Sequence, residues 1–201
     1  MGWMILGIET SCDETAAAVV EEGRRILSHV VASSVELHQK TGGIIPEIAA
    51  REQVKCIIPV INEAIESCQL KIENLSAIAV TVGPGLIGSL LVGVETARTL
   101  AYVWQKPIVP INHLIAHIYA NFLDSKFKIQ NSKLFPAVAL VVSGGHTDLV
   151  LMENHGRIKW LGGTRDDAAG ECFDKCARIL GLGYPGGPAI CLLYTSPSPR
   201  D

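Results

Sequence analysis

Aromatic residues make up only 5% of the 201-residue sequence, the formal net charge is −3, and there is no run of Lys or Arg. The charge is too small to indicate electrostatic steering by the whole protein, and no basic run suggests a nucleic-acid-binding arm. Charge neither indicates nor excludes an RNA partner. The longest apolar stretch, residues 80–94, is interrupted by glycine, proline and serine, which makes it a poor membrane span. Because the first residues also lack the basic segment of a signal peptide, we expect a cytoplasmic protein with no membrane association.

The six cysteines include no CxxC pair. Most of them lie in apolar or helical contexts, which favours reduced thiols over a disulfide framework. Cys172 and Cys176 have the i, i+4 spacing of two ligands on one helix face. Nothing nearby supplies the remaining two ligands of a structural site, so we interpret the pair as part of a small-residue helix face.

Small and aliphatic residues are abundant, and 48% of the sequence is hydrophobic. This composition is typical of short buried strands that alternate with helices. The pattern predicts strands at 4–9, 16–20, 26–31, 75–82 and 107–111. It predicts helices at 47–68, from 83–88 to about 104, and from 113 to about 123. The helix at 47–68 should be kinked at Pro59, and its apolar stripe consists of Val54, Ile58, Ile61, Ile65 and Cys68.

The arrangement at the N-terminus, a strand, a polar turn and a returning strand, recurs later in the sequence. Strands at 137–143 and 147–152 enclose a tight turn at 144–146, and a polar connection at 125–135 precedes them. The recurrence predicts a duplicated α/β fold with ligands bound between two lobes. Only a helix at 166–182 and a glycine-rich loop at 183–188 follow. We therefore predict a first lobe at 1–124 and an incomplete second lobe at 136–190.

Both predicted turns have the residues of a ligand-binding loop. In the first, residues 9–15, hydroxyls and closely spaced amides can hold phosphate oxygens, while carboxylates position water or a cation. In the second, Gly144 and Gly145 allow a ligand close to the backbone, and Ser143 and Thr147 add hydroxyls. The alternative for each turn is a polar hairpin whose side chains cap their own backbone. The repeated layout favours the ligand-binding interpretation.

His113 and His117 lie one helical turn apart, directly after a predicted buried strand. The i, i+4 spacing lets both imidazoles bind the same cation, at a position where ligands collect in α/β sheets. Two ligands do not complete a common metal site, so a third, a carboxylate, is expected from elsewhere. Leu114 occupies the position of the general base in the metalloprotease HExxH motif, which counts against peptide hydrolysis. The alternative is a pair of surface or core histidines without a metal.

Two further segments have weaker signals. The segment 83–89 precedes a helix but is not a Walker A motif, so close helix–sheet packing through its glycines and Gly93 is favoured over an anion site. In the segment 166–175, Asp166 and Asp167 suit a helix N-cap and first turn. Asp174 could accept hydrogen bonds from substrate hydroxyls, and Gly186 and Gly187 could admit a sugar or base.

Taken together, these motifs resemble those of the TsaD/Gcp family of tRNA N6-adenosine threonylcarbamoyltransferases. The matching segments occur in family order, at 7–15, 42–47, 83–86, 113–117, 142–147 and 166–188. The resemblance implies the duplicated ribonuclease-H-like fold shared with actin, sugar kinases and heat-shock chaperone ATPases. It also implies transfer of the threonylcarbamoyl group from threonylcarbamoyl-AMP to N6 of adenosine 37, in tRNAs that read codons beginning with A.

The resemblance further implies a set of site residues, cofactors and partners. His113 and His117 would bind one divalent metal per subunit, Fe²⁺ or Zn²⁺, and Asp13 and Glu14 would be catalytic. The threonylcarbamoyl-AMP pocket would be formed by Val141, Val142, Ser143, Gly144, Gly145, Asp174 and Gly187. The expected partners are tRNA and, in a bacterium, TsaB-type and TsaE-type proteins.

The end of the sequence departs from this resemblance. Family members continue well beyond the glycine-rich loop, whereas residues 191–201 do not resemble the family and their last part looks like a cloning tail. We therefore expect an inactive fragment with a truncated second lobe. The alternative functions are a metalloprotease-type hydrolase, a non-catalytic scaffold of a modification complex, and a sugar kinase or chaperone-like ATPase of the same fold.

Overall fold

The computed structural model of the chain describes residues 2–123 and 134–195. These residues form two units, one built from residues 2–38 and 44–123 and the other from residues 39–43 and 134–195. Residues 39–43 join the second unit, in which Arg178 Nη2 donates a hydrogen bond to Gly42 O at 3.0 Å. The predicted connection at 125–135 lies, apart from residues 134 and 135, outside the described residues.

The first unit is built on a five-stranded sheet of order β3-β2-β1-β4-β5. Its strands are β1 (Met4–Glu9), β2 (Glu14–Glu21), β3 (Arg25–Ser33), β4 (Leu75–Gly83) and β5 (Ile108–Asn112). Strands β1, β2 and β3 pair antiparallel, whereas β1, β4 and β5 run parallel. The carboxyl ends of three parallel strands therefore meet at one edge of the sheet, the edge at which ligands collect in this class of fold.

Two long helices cover one face of this sheet. The helices of the unit are α2 (Pro46–Ser67), α3 (Ile87–Trp104) and α4 (His113–Ala120), with a 3₁₀ turn at Ile72–Asn74, and the first four residues of α1 (Val35–Thr41) also belong to it. Side chains alternate along β1, so Leu6 and Ile8 enter the core with residues of α2 and α3, while Gly7 and Glu9 lie on the opposite face. Helix α1 was not predicted, and α4 ends three residues earlier than expected.

Helix α2 continues through Pro59 as one element of 22 residues. Its predicted apolar stripe is partly wrong, since the side chains of Val54 and Ile58 are 63% and 48% exposed. The buried positions are Ala49, Gln53, Ile57, Val60, Ile61 and Ala64. The buried face includes Ala49 and Gln53. A stripe selected by side-chain hydrophobicity omits both residues, because one is small and the other is polar.

The second unit contains a three-stranded antiparallel sheet, β6 (Ala137–Val142), β7 (Thr147–Asn154) and β8 (Arg157–Gly163), and two helices, α5 (Ala169–Ile179) and α6 (Gly186–Thr195). The opening hairpin is confirmed. Strand β8 was missed, and α5 begins and ends three residues inside its predicted limits. Helix α6 includes the second half of the predicted glycine-rich loop, residues 186–188, and extends into the segment 191–201.

Two further findings concern the cysteines and the helices. All six cysteines are free thiols. In the part of the chain that the structure describes, no helix combines the length and the apolar character needed to cross a membrane.

Candidate functional site

The two histidines predicted as metal ligands converge at the carboxyl edge of the first sheet. Helix α4 starts directly after β5, and the Asn112 side chain caps it by accepting hydrogen bonds from Leu114 N at 3.0 Å and Ile115 N at 3.1 Å. This cap fixes His113 as the first helical residue. His113 Nε2 and His117 Nε2 lie 3.0 Å apart, with the two rings at 81° to each other.

Glu9, at the end of β1, orients the first of these imidazoles. Its Oε2 lies 3.2 Å from His113 Nδ1 and also accepts a hydrogen bond from Thr81 Oγ1, while its Oε1 accepts one from Ser11 N. Burial raises the pKa of Glu9, but the hydrogen bonds from His113, Ser11 and Thr81 outweigh it and bring this pKa down to about 2. A carboxylate beside Nδ1 favours the tautomer that carries its proton on Nδ1, and this tautomer leaves the lone pair on Nε2, the atom nearest His117.

The donor set fits part of a metal site. A separation of 3.0 Å suits two imidazole nitrogens that bind the same ion, each at about 2.0–2.1 Å. A carboxylate that contacts the other ring nitrogen, as Glu9 contacts His113 Nδ1, is the usual partner of a metal-bound histidine. Among the described residues, no group of three or more His, Cys, Asp or Glu side chains could hold a metal. His113 and His117 thus supply two donors, and a complete site needs further ligands.

Glu9 is among the carboxylates of the first turn that, from the sequence, could position water or a cation, but its contact with His113 was not predicted. Its role follows from the sheet order, because β1 and β5 are separated only by β4 and both end at the same edge. The usable signal was a carboxylate at the last position of one parallel strand and a histidine directly after another.

A cavity of about 410 Å³ lies beside the histidine pair, on the sheet face opposite the core. His29 on β3 also lines it. Alanine is the most frequent residue in its wall, which includes Ala16, Ala18, Ala79, Ala116 and Ala120. The cavity therefore offers an apolar surface next to two imidazoles.

The first turn, which contains Asp13 and Glu14, is held against the start of α3. Leu86 N donates to Ser11 O at 2.8 Å, and Ser89 Oγ donates to Cys12 O at 2.9 Å. Asp13 is half-buried, and Glu14 is exposed at the first position of β2. Ser11 Oγ lies 3.2 Å from His113 Nδ1, so this turn adjoins the histidine pair through Ser11.

Cys12 lies in the same turn but is not an available nucleophile. Burial and the negative charge of Asp13 raise the pKa of its thiol to about 12. The thiolate is the reactive form of cysteine, so Cys12 stays protonated and unreactive at neutral pH.

Replacing Gly85 with alanine should displace the first turn. An added Cβ would lie 2.5 Å from Ser11 O, a backbone atom that cannot yield without moving the turn. We expect a loss of about 1–3 kcal/mol in the free energy of unfolding of the first unit, measured by urea denaturation. Gly88→Ala is the matched control, because its Cβ would lie 3.3 Å from the Ala50 side chain. Equal losses in the two variants would contradict the close approach at Ser11.

Comparison with known proteins identifies the family. The family model described as "TsaD: tRNA N6-adenosine threonylcarbamoyltransferase" matches residues 25–197. The chain belongs to the TsaD family. This match runs into the segment 191–201, which was predicted to lie outside the family.

Relatives within the TsaD family are similar along most of the chain. A tRNA N6-adenosine threonylcarbamoyltransferase of Thermomicrobium roseum is 58% identical over 188 residues, which are 93% of this chain and 52% of that protein. One of Symbiobacterium thermophilum is 56% identical over 197 residues, 98% of this chain and 56% of that protein. The chain thus spans about half the length of the curated relatives it matches.

Among solved structures, the ethanolamine utilization protein EutJ from Carboxydothermus hydrogenoformans has a similar fold. It aligns with a TM-score of 0.51 and 14% identity, over 94% of this chain and 60% of that chain. The likeness is one of fold alone, and it agrees with the ribonuclease-H-like α/β class predicted from the sequence.

In this TsaD family member, five of the predicted substrate residues are consecutive in the second unit: Val141 and Val142 end β6, and Ser143, Gly144 and Gly145 lie in the β6–β7 turn. Val141 is buried and Val142 is exposed. The turn is bound to the start of α5, where Ser143 O accepts from the second helical amide at 3.1 Å and the Thr147 hydroxyl accepts from the first at 2.9 Å. An added Cβ on either glycine would meet no atom within 4 Å, so the backbone there is open to a ligand.

The other two predicted substrate residues, Asp174 and Gly187, lie near the junction of α5 and α6. Asp174 Oδ1 accepts a hydrogen bond from Gly186 N at 2.7 Å, so this carboxylate holds the start of α6. Gly187 has open space beside its Cα. Gly186 has none, because an added Cβ would lie 2.5 Å from Phe173 O, so it serves close packing.

The predicted N-cap role of Asp166 and Asp167 is wrong. Helix α5 has Ala168 at its N-cap, and its first two amides donate to the Thr147 hydroxyl and to Ser143 O rather than to an aspartate. Asp166 accepts a hydrogen bond from Thr164 Oγ1 instead. Asp167 pairs with Lys175 at 2.6 Å.

Proposed function

We propose that this chain is part of an enzyme that transfers the threonylcarbamoyl group from threonylcarbamoyl-AMP to N6 of adenosine 37, in tRNAs that read codons beginning with A. The observation that carries the proposal is the convergence of His113 and His117, with Glu9 behind the first imidazole. The names of the relatives agree with this reaction. The adenosine amine attacks the carbamoyl carbon, a C–N bond forms, the bond from that carbon to the phosphate oxygen breaks, and AMP leaves as the amine loses a proton.

Our proposal assigns the metal to the histidine pair. His113 Nε2 and His117 Nε2 would bind one divalent ion per subunit, Fe²⁺ or Zn²⁺, both of which accept imidazole ligands. Such an ion would polarise or orient the carbamoyl group. Glu9 and Ser11 hold the His113 ring in the orientation that this binding needs. Further ligands would come from outside the described residues.

Asp13 and Glu14 are the catalytic carboxylates of the proposal. Their turn adjoins the histidine pair through Ser11, which supports this assignment. The threonylcarbamoyl-AMP pocket is proposed at the β6–β7 turn, where Gly144 and Gly145 leave open space. The proposed pocket extends from there to the junction of α5 and α6, so that it includes all seven predicted substrate residues, namely Val141, Val142, Ser143, Gly144, Gly145, Asp174 and Gly187.

The proposed partners are tRNA and, in a bacterium, TsaB-type and TsaE-type proteins, and the proposed location is the cytoplasm with no membrane association. We also propose that the 201-residue segment is inactive by itself. It spans about half the length of its relatives, and its described residues supply two metal donors.

The test uses a form of the protein that spans the full length of its relatives. It is incubated with threonylcarbamoyl-AMP, tRNA and a protein substrate, and labelled threonine is followed into tRNA. The proposal requires transfer to tRNA, and peptide cleavage alone would show a hydrolase instead. Modification that persists in the double variant His113→Ala, His117→Ala would indicate a scaffold, and ATP-dependent sugar phosphorylation would indicate a kinase.

A further inference from the structure

We infer that Gln53 is a positioning residue that sets the conformation of residues 10–14 of the first turn for the transfer reaction. Gln53 lies on the buried face of α2, and its side chain is only 1% exposed. The inference rests on the proposed function, which assigns the catalytic carboxylates Asp13 and Glu14 to this turn.

The Gln53 carboxamide binds three carbonyl groups of the turn. Its Nε2 lies 3.0 Å from Cys12 O, 3.1 Å from Glu14 O and 3.4 Å from Thr10 O. The amide orientation follows from these contacts, because Oε1 in the same place would face three carbonyl oxygens. One side chain therefore contacts alternate carbonyls along the whole turn.

Other donors occupy the two intervening carbonyls. Ser11 O accepts from Leu86 N at 2.8 Å, and Asp13 O accepts from the Ser34 amide at 3.2 Å and from its hydroxyl at 2.7 Å. Every carbonyl from residue 10 to residue 14 thus accepts a hydrogen bond, and Gln53 is the donor to three of the five.

The turn so fixed includes Ser11, whose amide binds Glu9 and whose hydroxyl lies 3.2 Å from His113 Nδ1. A shift of the turn would therefore displace the carboxylates of Asp13 and Glu14 and disturb the hydrogen bonds that orient His113. Gln53 is buried away from solvent on the helix face that covers the sheet core, so its influence on the reaction is through the turn.

Core packing alone does not explain a glutamine at this position. Its Oε1 has no hydrogen-bond partner in the part of the chain that the structure describes. Burying an amide with an unsatisfied oxygen costs free energy that an apolar side chain of the same size would not cost. The two N–H groups of Nε2 reach three carbonyls of the turn, so one of them is shared between two acceptors. These contacts offset the cost, which points to the turn as the reason for the amide.

The test compares Gln53→Met, which keeps the length and removes the donor, with Gln53→Glu, which places a carboxyl against the same carbonyls. Both are made in the full-length form, and Ala64→Gly, in the same helix away from the turn, is the control for a general loss of stability. Hydrogen exchange of peptides covering residues 10–14 reports on the turn without any activity assay. The kinetic constants kcat and KM are measured with tRNA and threonylcarbamoyl-AMP, well below the melting temperature of each variant.

In Gln53→Met we expect exchange at residues 10–14 to be about tenfold faster or more, since buried hydrogen bonds are lost. We expect kcat to fall and KM for tRNA to change little. Gln53→Glu should recover part of its kcat as the pH falls, because a protonated carboxyl can donate to the carbonyls, whereas Gln53→Met should not. Ala64→Gly should keep the wild-type kcat and the wild-type exchange at residues 10–14.

Unchanged exchange at residues 10–14 in Gln53→Met would overturn the inference. So would an equal loss of kcat in Ala64→Gly, and so would the same pH dependence in Gln53→Met and Gln53→Glu. If the wild-type protein modifies no tRNA, the proposed function fails. The exchange result then still decides whether Gln53 holds the turn.

Discussion

Replacing His113 with alanine should abolish stable metal binding and reduce threonylcarbamoyl transfer by more than about 100-fold. Loss of an outer-shell partner of a metal ligand alone costs about 10–100-fold, so loss of the ligand should exceed this range. Glu9 and Ser11 both contact His113 Nδ1, so the same change also leaves the Glu9 carboxylate without its imidazole partner.

The measurement is metal content after loading with Zn²⁺ or Fe²⁺ and dialysis, together with transfer to tRNA, in the full-length form. Glu9→Gln should give an intermediate loss, because the amide keeps the shape but weakens the hold on Nδ1. His29→Ala is the matched control, since His29 lines the same cavity but lies on β3. Equal metal loss in His29→Ala, or full metal retention in His113→Ala, would contradict the assignment.

The position of the histidine pair could be predicted from the sequence because it depends on local rules. Spacing of i, i+4 and an asparagine at the helix start place both rings on one face of α4. The role of Glu9 could not be predicted in this way. It lies 104 residues from His113 in the sequence, and the two meet only because β1, β4 and β5 are adjacent and parallel.

The second unit shows how tertiary contacts override local signals. Gly186, Gly187 and Pro188 resemble a loop, yet they form the first turn of α6. Asp174 of the preceding helix accepts the amide of Gly186, and the close contact with Phe173 O requires glycine there. A proline in the first helical turn was the available signal, because its missing N–H needs no partner at that position.

The face of α2 was misjudged for a related reason. Hydrophobicity alone favours Val54 and Ile58, whereas the structure buries Ala49 and Gln53 on the face that includes Ile61. A small residue permits close packing, and a glutamine is buried because the first turn offers carbonyl acceptors. Neither condition can be read from helical periodicity.

Two isoleucines of α2 test this assignment with the same substitution. Ile61 is 2% exposed and belongs to the core, whereas Ile58, three residues earlier, is 48% exposed. Ile61→Ala should lower the free energy of unfolding of the first unit by about 2–5 kcal/mol, because it removes buried methyl groups and leaves a cavity. Ile58→Ala should cost less than about 1 kcal/mol, since its side chain is already in contact with water.

Guanidinium unfolding followed by tryptophan fluorescence checks this difference. In a Trp160→Phe background, the remaining tryptophans, Trp3 and Trp104, both lie in the first unit, so the signal reports on that unit alone. Equal losses in the two alanine variants would mean that both isoleucines are buried in solution, as the sequence pattern had suggested. A loss confined to Ile61→Ala would confirm the face seen in the structure, which is also the face from which Gln53 reaches the first turn.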